Sequence, residues 1–169
     1  MNNIQLIHGD ITKASVDAIV NAANSRMLGG GGVDGAIHRA AGPELLKACE
    51  KYPVIEGIRC PIGEARITPG FELNSTWIIH AVGPHYYNNE NPQILLRSAF
   101  KTSLTLAKHY SCRSIAFPAI SCGVFEYPIK EAGEIALNTC SSVEWQDMEI
   151  RFYLFDDKVY DAWRVIFNS

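Results

Sequence analysis

The 169-residue sequence predicts an α/β fold, a three-layer α/β/α sandwich with a mixed, mainly parallel central sheet. Two observations carry this prediction. Short apolar stretches with strand character alternate with longer stretches of helical periodicity, an order typical of parallel strands joined by crossover helices. Several strand-like stretches are apolar at every position, as expected when both faces of a sheet are covered. We expect one domain over residues 1–169, because no linker, repeat or low-complexity segment divides the chain.

The first half of the chain contains four predicted strands and one divided helical segment. The first two strands cover residues 4–8 and 18–21. Apolar residues then recur at helical spacing from residue 34 to about residue 51, and Gly42-Pro43 splits this segment into two helical pieces. Strands over residues 65–68 and 76–82 flank a turn at Pro69-Gly70. We expect these two strands to pair in antiparallel fashion, which makes the sheet mixed.

The second half alternates regularly between helices and strands. Residues 93–109 form an amphipathic helical pattern, and residues 114–120 a buried strand in which Pro118 needs a position without a ladder hydrogen bond. A helix is predicted over residues 128–143, with Pro128 in its first turn. The last strand covers residues 149–155 and the last helix residues 157–167.

Composition and charge exclude several function classes. The net charge is −3 and there is no run of Lys or Arg, so we expect no large nucleic-acid surface and no anionic membrane surface. The N-terminus has no signal-peptide pattern and no apolar run is long enough to span a bilayer. Five widely spaced cysteines, without zinc-like spacing, indicate reduced thiols and no metal site. We therefore expect a cytoplasmic protein.

The most informative stretch covers residues 20–38, where two asparagines, Asn21 and Asn24, precede four consecutive glycines and Asp34. Glycine loses much backbone entropy on folding, so four in a row indicate a loop that approaches a ligand closely or takes positive φ values. The alternative is a flexible turn with Asp34 as the N-cap of the following helix. The stretch alone leaves both interpretations open.

The glycine-rich stretch is a poor match to two common nucleotide-binding motifs. No Lys-Ser/Thr pair follows the glycines, which excludes a nucleotide-hydrolysing phosphate loop. The pattern G-x-G-x-x-G is formally present over residues 30–35, but it follows the second strand rather than the first. A Rossmann-type oxidoreductase is therefore a minor alternative.

In open α/β sheets, ligands bind at the carboxyl ends of the strands. Four segments follow predicted strands on this rule, and we expect them to converge on one cleft. They are residues 9–10, 21–34, 121–125 and 155–156.

Four segments also closely resemble macrodomains and, within that fold, the MacroD-type ADP-ribosyl hydrolases. The segments are residues 9–12, residues 20–24 with 29–43, residues 80–84 and residues 117–125. The second segment is highly specific, because its aspartate separates such hydrolases from macrodomains that lack it. The resemblance covers essentially the whole chain. It implies binding of ADP-ribose, hydrolysis of O-acetyl-ADP-ribose, and removal of mono-ADP-ribose from acidic side chains of modified proteins, without cofactor or metal.

The resemblance also implies where the adenine and the diphosphate bind. Asp10, beside Ile11, would accept a hydrogen bond from the adenine amino group, although chemistry alone favours a cap or turn role for Asp10. Phe155 would stack on adenine, or else lie in the core. Backbone N–H groups at the start of a helix would wrap the diphosphate. This loop comprises Ser121, Cys122, Gly123, Val124 and Phe125, the last packing on the distal ribose, while Gly31, Gly32 and Val33 would close from the other side.

Asn24 and Asp34 are the implied catalytic residues. Asn24 would bind the distal ribose hydroxyls, and Asp34 would position or deprotonate the water that attacks the ester. The sequence leaves open whether Asp34 or a substrate phosphate takes the proton. His38, one turn beyond Asp34, is placed outside the catalytic set.

Two residues depart from the family pattern. Cys122 stands where many relatives carry threonine, and we expect it to supply its backbone N–H and to expose an oxidisable thiol. Glu126 stands where many carry glycine; it would weaken binding if it pointed inward and have little effect if it faced solvent. The main alternative to a hydrolase is a non-catalytic ADP-ribose-binding or regulatory module.

Overall fold

Six strands form one sheet in the computed structural model, which describes residues 3–169. The first two residues of the predicted domain lie outside this range. The strands are β1 (Ile4–His8), β2 (Ala18–Ala23), β3 (Ala65–Pro69), β4 (Trp77–Val82), β5 (Ser114–Phe117) and β6 (Glu149–Leu154). Their order across the sheet is β1-β6-β5-β2-β4-β3.

The pairing confirms a mixed, mainly parallel sheet. β1, β6, β5, β2 and β4 pair in parallel, and only the pairing of β3 with β4 is antiparallel among the described strands. The turn chemistry at Pro69-Gly70 therefore predicted this pair correctly. In the central pair, Asn21 of β2 lies opposite His80 of β4.

Helices cover both faces of the sheet, which confirms the three-layer architecture. They are α1 (Gly32–Ala41), α2 (Glu44–Glu50), α3 (Pro92–His109), α4 (Ile129–Cys140) and α5 (Asp157–Phe167). Side chains of α1 and α2 share one apolar cluster with β2 and β4. Side chains of α3, α4 and α5 share a second, larger cluster with the opposite face of the sheet.

The alternation of side chains along β2 and β4 assigns each residue to one face. Val20 and Ile79 pack in the cluster under α3, α4 and α5. Ile19 and Ile78 pack in the cluster under α1 and α2. By the same alternation, Asn21 and His80 face α1 and α2, and both are fully buried. Two polar side chains are thus placed among apolar neighbours on the face that carries the glycine-rich segment.

Element ends differ from the sequence prediction where glycine and proline act. β5 ends at Phe117, so Pro118 lies just beyond the strand and blocks no ladder hydrogen bond. α1 begins at Gly32, with Gly31 as its N-cap. Asp34 therefore lies within the first turn, and the alternative interpretation of Asp34 as the N-cap is wrong. The interruption at Gly42-Pro43 is confirmed, because Gly42 ends α1 and Pro43 precedes α2.

Among residues 3–169, no helix has the length and apolar character needed to cross a membrane.

Substitution of Phe152 on β6 provides a test of the packing in the larger apolar cluster. The ring of Phe152 is fully buried and lies 5.4 Å from that of Phe117 and 5.6 Å from that of Trp163. We expect Phe152→Ala to lower the free energy of unfolding by about 3–5 kcal/mol, because the substitution leaves a cavity between sheet and helices. Chemical denaturation measures this loss. The control is Val165→Ala on the exposed side of α5, for which we expect a change within about 0.5 kcal/mol; equal losses in both variants would contradict this packing.

Candidate functional site

A cleft lies at the carboxyl ends of the parallel strands and consists of two adjoining cavities. The larger cavity has a volume of about 460 Å³ and the smaller cavity about 300 Å³. Both cavities are bounded by the start of α1 and by the segment after β5. The residues they share are Gly32, Val33, Pro118, Ala119 and Gly123. The predicted convergence of segments after β1, β2, β5 and β6 is therefore what the structure shows.

Asp10 and Ile11 lie in the larger cavity, after β1. Asp10 Oδ1 accepts hydrogen bonds from the Thr12 N–H at 2.9 Å and the Thr12 hydroxyl at 2.8 Å. Asp10 thus caps the short 3₁₀ turn over residues 11–13. The cap role is confirmed, while the second carboxylate oxygen remains available to a ligand. Ile11 is buried below the cavity.

Phe155 follows β6 and forms part of the same cavity. Its side chain is 78% exposed, so the interpretation of Phe155 as a core residue is wrong. An exposed aromatic ring at the wall of a cavity is well placed to stack on a planar group. Beside it, Asp156 caps α5 by accepting hydrogen bonds from the Lys158 and Val159 N–H groups.

The loop over residues 121–125 lines the smaller cavity with Ser121, Gly123, Val124 and Phe125. It does not form the start of a helix as predicted, because α4 begins only at Ile129. The segment instead makes tight turns, in which the Glu126 N–H donates to Gly123 and the Tyr127 N–H donates to Ser121. Within the described chain, four of its N–H groups have no protein acceptor. They belong to Ser121, Gly123, Val124 and Phe125.

Cys122 differs from its expected role. Its N–H donates to the Ala119 carbonyl at 3.2 Å and is therefore not one of the free donors. Its side chain packs against the larger apolar cluster, and burial raises the pKa of the thiol to about 12. Cys122 is half-buried and lines the larger cavity, so the expectation of an exposed thiol holds only in part, and the raised pKa makes this thiol a poor nucleophile.

Glu126 has a φ of 61°, in the left-handed region, which explains why glycine suits this position. Its side chain is exposed to solvent. The structure therefore supports the alternative in which Glu126 faces solvent and has little effect on the loop.

The start of α1 faces the same space from the opposite side. The N–H groups of Gly32, Val33 and Asp34 precede the first intrahelical hydrogen bond, which the Gly35 N–H donates to Gly31 at 3.2 Å. These free donors and the positive end of the helix dipole attract anions. Gly32 adopts a φ of 56°, which favours glycine. The cleft therefore offers backbone donors to an anion from two directions.

Gly35 fixes the path of the glycine-rich segment. A Cβ on Gly35 would lie 2.6 Å from the Gly30 carbonyl oxygen, so only glycine allows the loop to fold this tightly onto α1. A Cβ on Gly30 would lie 3.2 Å from Asp34 Oδ2 and 3.6 Å from Asn24 Nδ2. Asn24 and Asp34, the two predicted catalytic residues, thus flank the same loop residue.

Asp34 is buried in the wall of the smaller cavity, with 5% of its surface exposed. Its Oδ1 accepts a hydrogen bond of 2.8 Å from Asn21 Nδ2. No donor in the described part of the chain contacts its Oδ2. Burial raises the pKa of Asp34 above its usual value, while the Asn21 hydrogen bond and the His38 charge oppose this rise. A carboxylate of raised pKa with one free oxygen is suited to accept a proton from water.

Asn24 stabilises its own loop. Its Oδ1 accepts from the N–H groups of Arg26 and Met27, at 3.1 and 3.2 Å, and its Nδ2 donates to the Gly29 carbonyl at 3.2 Å. One N–H of the side-chain amide remains for a ligand. Asn24 therefore has a loop role beside any binding role.

His38 lies closer to the site than its exclusion from the catalytic set implies. Its Nε2 is 3.4 Å from Asp34 Oδ1, without the geometry of a hydrogen bond. The Nδ2 atom of Asn21, which donates to Asp34, also lies 3.2 Å from Nδ1 of His80. His80 Nε2 lies 3.0 Å from the Thr68 hydroxyl. Burial, together with the charge of His38, lowers the pKa of His80 to about 3, so this imidazole is neutral.

Asn21, His80 and Thr68 were missed as site residues by sequence reasoning. The available signal was a polar residue in the middle of an apolar strand, Asn21 in β2 and His80 in β4. That signal does not say which groups the side chains meet, because the contacts cross three strands. Within residues 3–169, no group of three or more His, Cys, Asp or Glu side chains is arranged to hold a metal ion.

The neutral state of His80 predicts a specific acid sensitivity. The unfolded chain protonates His80 below about pH 6.5, whereas the folded protein does so only near pH 3. The free energy of unfolding therefore falls as the pH drops through this window, by up to about 1.4 kcal/mol per pH unit. Asp34 acts in the opposite direction, because its raised pKa favours the folded state as the pH falls. Comparing chemical denaturation of wild type and His80→Gln reports the His80 contribution together with the change that it causes in the titration of Asp34, with exposed His109→Gln as control. The same pH dependence in wild type and His80→Gln would contradict a buried neutral imidazole.

The comparisons with known proteins agree with this architecture. The model of the family "Macro domain" matches residues 20–136. A Macro domain-containing protein of Vibrio parahaemolyticus is 55% identical over 164 residues, covering 97% of this chain and 96% of that protein. One of Streptomyces coelicolor is 46% identical over 163 residues, covering 96% of each.

Solved structures show the same fold. The Oceanobacillus iheyensis macrodomain with ADP superimposes with a TM-score of 0.92 at 44% identity, covering 98% of this chain and 90% of that one. The Trypanosoma brucei macrodomain in complex with ADP-ribose gives 0.86 at 38% identity, covering 98% and 69%. The fold, the family model over the glycine-rich segment and the identity with full-length relatives lead to one conclusion: this chain belongs to the Macro domain family.

Proposed function

We propose that this chain binds ADP-ribose along the cleft and hydrolyses esters at its distal ribose. The substrates are O-acetyl-ADP-ribose and mono-ADP-ribose attached to acidic side chains of proteins, as in the MacroD-type enzymes that the sequence resembles. Macrodomains from Oceanobacillus iheyensis and Trypanosoma brucei have been solved with ADPR and ADP-ribose, respectively, which supports the choice of ligand.

The two cavities fit the two ends of this ligand. The larger cavity offers the exposed ring of Phe155 and the free oxygen of Asp10 to the adenine. The shared boundary, between α1 and the 121–125 loop, offers backbone N–H groups to the diphosphate. The smaller cavity receives the distal ribose beside Phe125 and Asp34, which line it, whereas Asn24 lies next to Gly30 and outside the lining.

Asp34 carries the hydrolase part of the proposal. Asp34 borders the smaller cavity, its Oδ2 accepts no hydrogen bond from the described chain, and its raised pKa suits a general base. In the proposed step, water attacks the acyl carbon while Asp34 Oδ2 accepts the water proton. The bond between the acyl carbon and the ribose oxygen then breaks, and that oxygen takes up the proton. The products are ADP-ribose and a carboxylic acid.

Asp34→Asn separates hydrolysis from binding. The amide keeps the size of the side chain but accepts no proton at neutral pH, so we expect turnover of O-acetyl-ADP-ribose to fall by about 10²–10⁴-fold. Calorimetry should show retained ADP-ribose binding. Unchanged turnover would remove Asp34 from the mechanism. Binding without any turnover in the wild type would make the chain a binding module.

Phe155→Ala tests the adenine end independently of chemistry. Loss of a stacking ring removes about 1–3 kcal/mol of binding free energy, so we expect the Kd for ADP-ribose to rise by about 5- to 150-fold while kcat at saturating substrate is retained. The matched control is Phe71→Ala, which removes another exposed phenylalanine that lines neither cavity. Equal affinities of the Phe155→Ala variant and the wild type would place the adenine elsewhere.

A further inference from the structure

Three buried polar side chains lie behind Asp34, one on each of three neighbouring strands. Asn21 on β2, His80 on β4 and Thr68 on β3 expose 0%, 0% and 3% of their surface. Buried polar groups lower stability unless they are fully hydrogen-bonded. Asn21 Oδ1 is buried without a partner in the described chain, so an apolar residue would suit packing better. The arrangement therefore needs a reason other than stability.

The contacts fix the orientation of the Asn21 amide. Asp34 in its ionised form can only accept hydrogen bonds, so the Asn21 atom at 2.8 Å from Oδ1 is the nitrogen. The same nitrogen lies 3.2 Å from His80 Nδ1. The second N–H of Asn21 therefore donates to Nδ1, which must carry a lone pair.

The contacts also fix the tautomer of His80. With Nδ1 as an acceptor, the single proton of the neutral imidazole is on Nε2. Nε2 then donates to the Thr68 hydroxyl at 3.0 Å. The Cys49 sulfur lies farther away, at 3.8 Å, and is a weaker partner. Thr68 thus favours one tautomer, and that tautomer favours one orientation of Asn21.

We propose that His80 is a positioning residue, whose Nε2–H tautomer, held by Thr68, makes Asn21 present an N–H rather than its carbonyl oxygen to Asp34. This inference rests on the proposed function for its consequence in catalysis. The opposite tautomer would place a proton on Nδ1, and Asn21 would turn its oxygen towards both His80 and Asp34. A carbonyl oxygen beside the Asp34 carboxylate disfavours the ionised form of Asp34. It also pushes the carboxylate away from the position in which Asp34 acts as the base.

The ionisable groups near Asp34 come from several elements. His38 Nε2 of α1 lies 3.4 Å from Asp34 Oδ1. In α2, burial raises the pKa of the Cys49 thiol, and the charge of Asp34 raises it further. The charge of Arg59 lowers the pKa of Cys49, and the charge of Glu50 raises it. Among the described residues, the Asn21 side chain hydrogen-bonds to Asp34 and His80, so it links the His80–Thr68 pair to Asp34, while His38 acts on both His80 and Asp34 through its charge.

The first test is spectroscopic and needs no activity. Nitrogen-15 NMR of the full chain reports which ring nitrogen of His80 carries the proton, and carbon-13 NMR follows the titration of the Asp34 carboxyl. We expect Nε2–H in the wild type. Thr68→Val removes the acceptor, and we expect a shift towards Nδ1–H with a titration of Asp34 at higher pH. Thr68→Ser keeps the hydroxyl and should resemble the wild type.

The second test uses kinetics of O-acetyl-ADP-ribose hydrolysis. We expect Thr68→Val to lower kcat by about tenfold to a hundredfold and to move the acid limb of kcat/KM to higher pH, with the Kd for ADP-ribose unchanged. Thr68→Ser should restore both values. We expect His80→Asn to retain more activity than His80→Gln. The asparagine places a carbonyl near the position of Nδ1, whereas the glutamine preserves only the donor towards Thr68.

The outcomes separate this inference from the proposed function. Absent turnover in a wild type that binds ADP-ribose would refute hydrolysis, and the Asp34 titration in Thr68→Val would still decide the inference. An Nδ1–H tautomer in the wild type would overturn it. An Asp34 titration that is the same in Thr68→Val, Thr68→Ser and wild type would overturn it as well.

Discussion

The hydrogen bond from Asn21 to Asp34 is the constraint on which the site depends. At 2.8 Å, it joins the middle of the sheet to the first turn of α1, and it is buried at both ends. Because a helix start is otherwise free to shift on a glycine-rich loop, this bond fixes where the Asp34 carboxylate lies. It also limits the rise in the pKa of Asp34 that burial causes. Position and ionisation of one carboxyl are thus set by the same contact.

A second feature of the site is that backbone N–H groups, rather than lysine or arginine side chains, are the donors at the start of α1 and in the 121–125 loop. α1 and the 121–125 loop each present free backbone N–H groups to the cleft. Backbone donors hold an anion without the conformational entropy that lysine or arginine side chains lose on ordering. Such donors let a chain with a net charge of −3 present an attractive surface to an anion. Glycine at 32 and 35 allows the required φ value and the close approach of Gly30 to α1.

Local sequence rules predicted much of the fold, because the periodicities and the turn residues act over short distances. The antiparallel pair at Pro69-Gly70 and the break at Gly42-Pro43 follow from such rules. The predicted helical pattern began at Asp34, whereas α1 begins two residues earlier, at Gly32, with Gly31 as its N-cap. For Phe155, burial was undecidable from sequence, because exposure depends on what packs against the end of β6.

The site was predicted only in part for a similar reason. Asn24, Asp34 and the 121–125 loop were found through the resemblance. Asn21, His80 and Thr68 meet only when β2, β4 and β3 pair in one register, which spacing along the chain does not reveal. The free N–H groups of the 121–125 loop were attributed to a helix start, whereas turns expose them and turn conformation depends on tertiary contacts.

The most direct measurement of the central claim is hydrolysis of O-acetyl-ADP-ribose by the wild-type protein in oxygen-18 water. Attack of water on the acyl carbon places one labelled oxygen in the released acetate and leaves ADP-ribose unlabelled, and mass spectrometry reads both products. We expect this labelling, at a rate well above the reaction without protein. Release of acetate at the uncatalysed rate, from a protein that binds ADP-ribose, would contradict the account and leave a binding module.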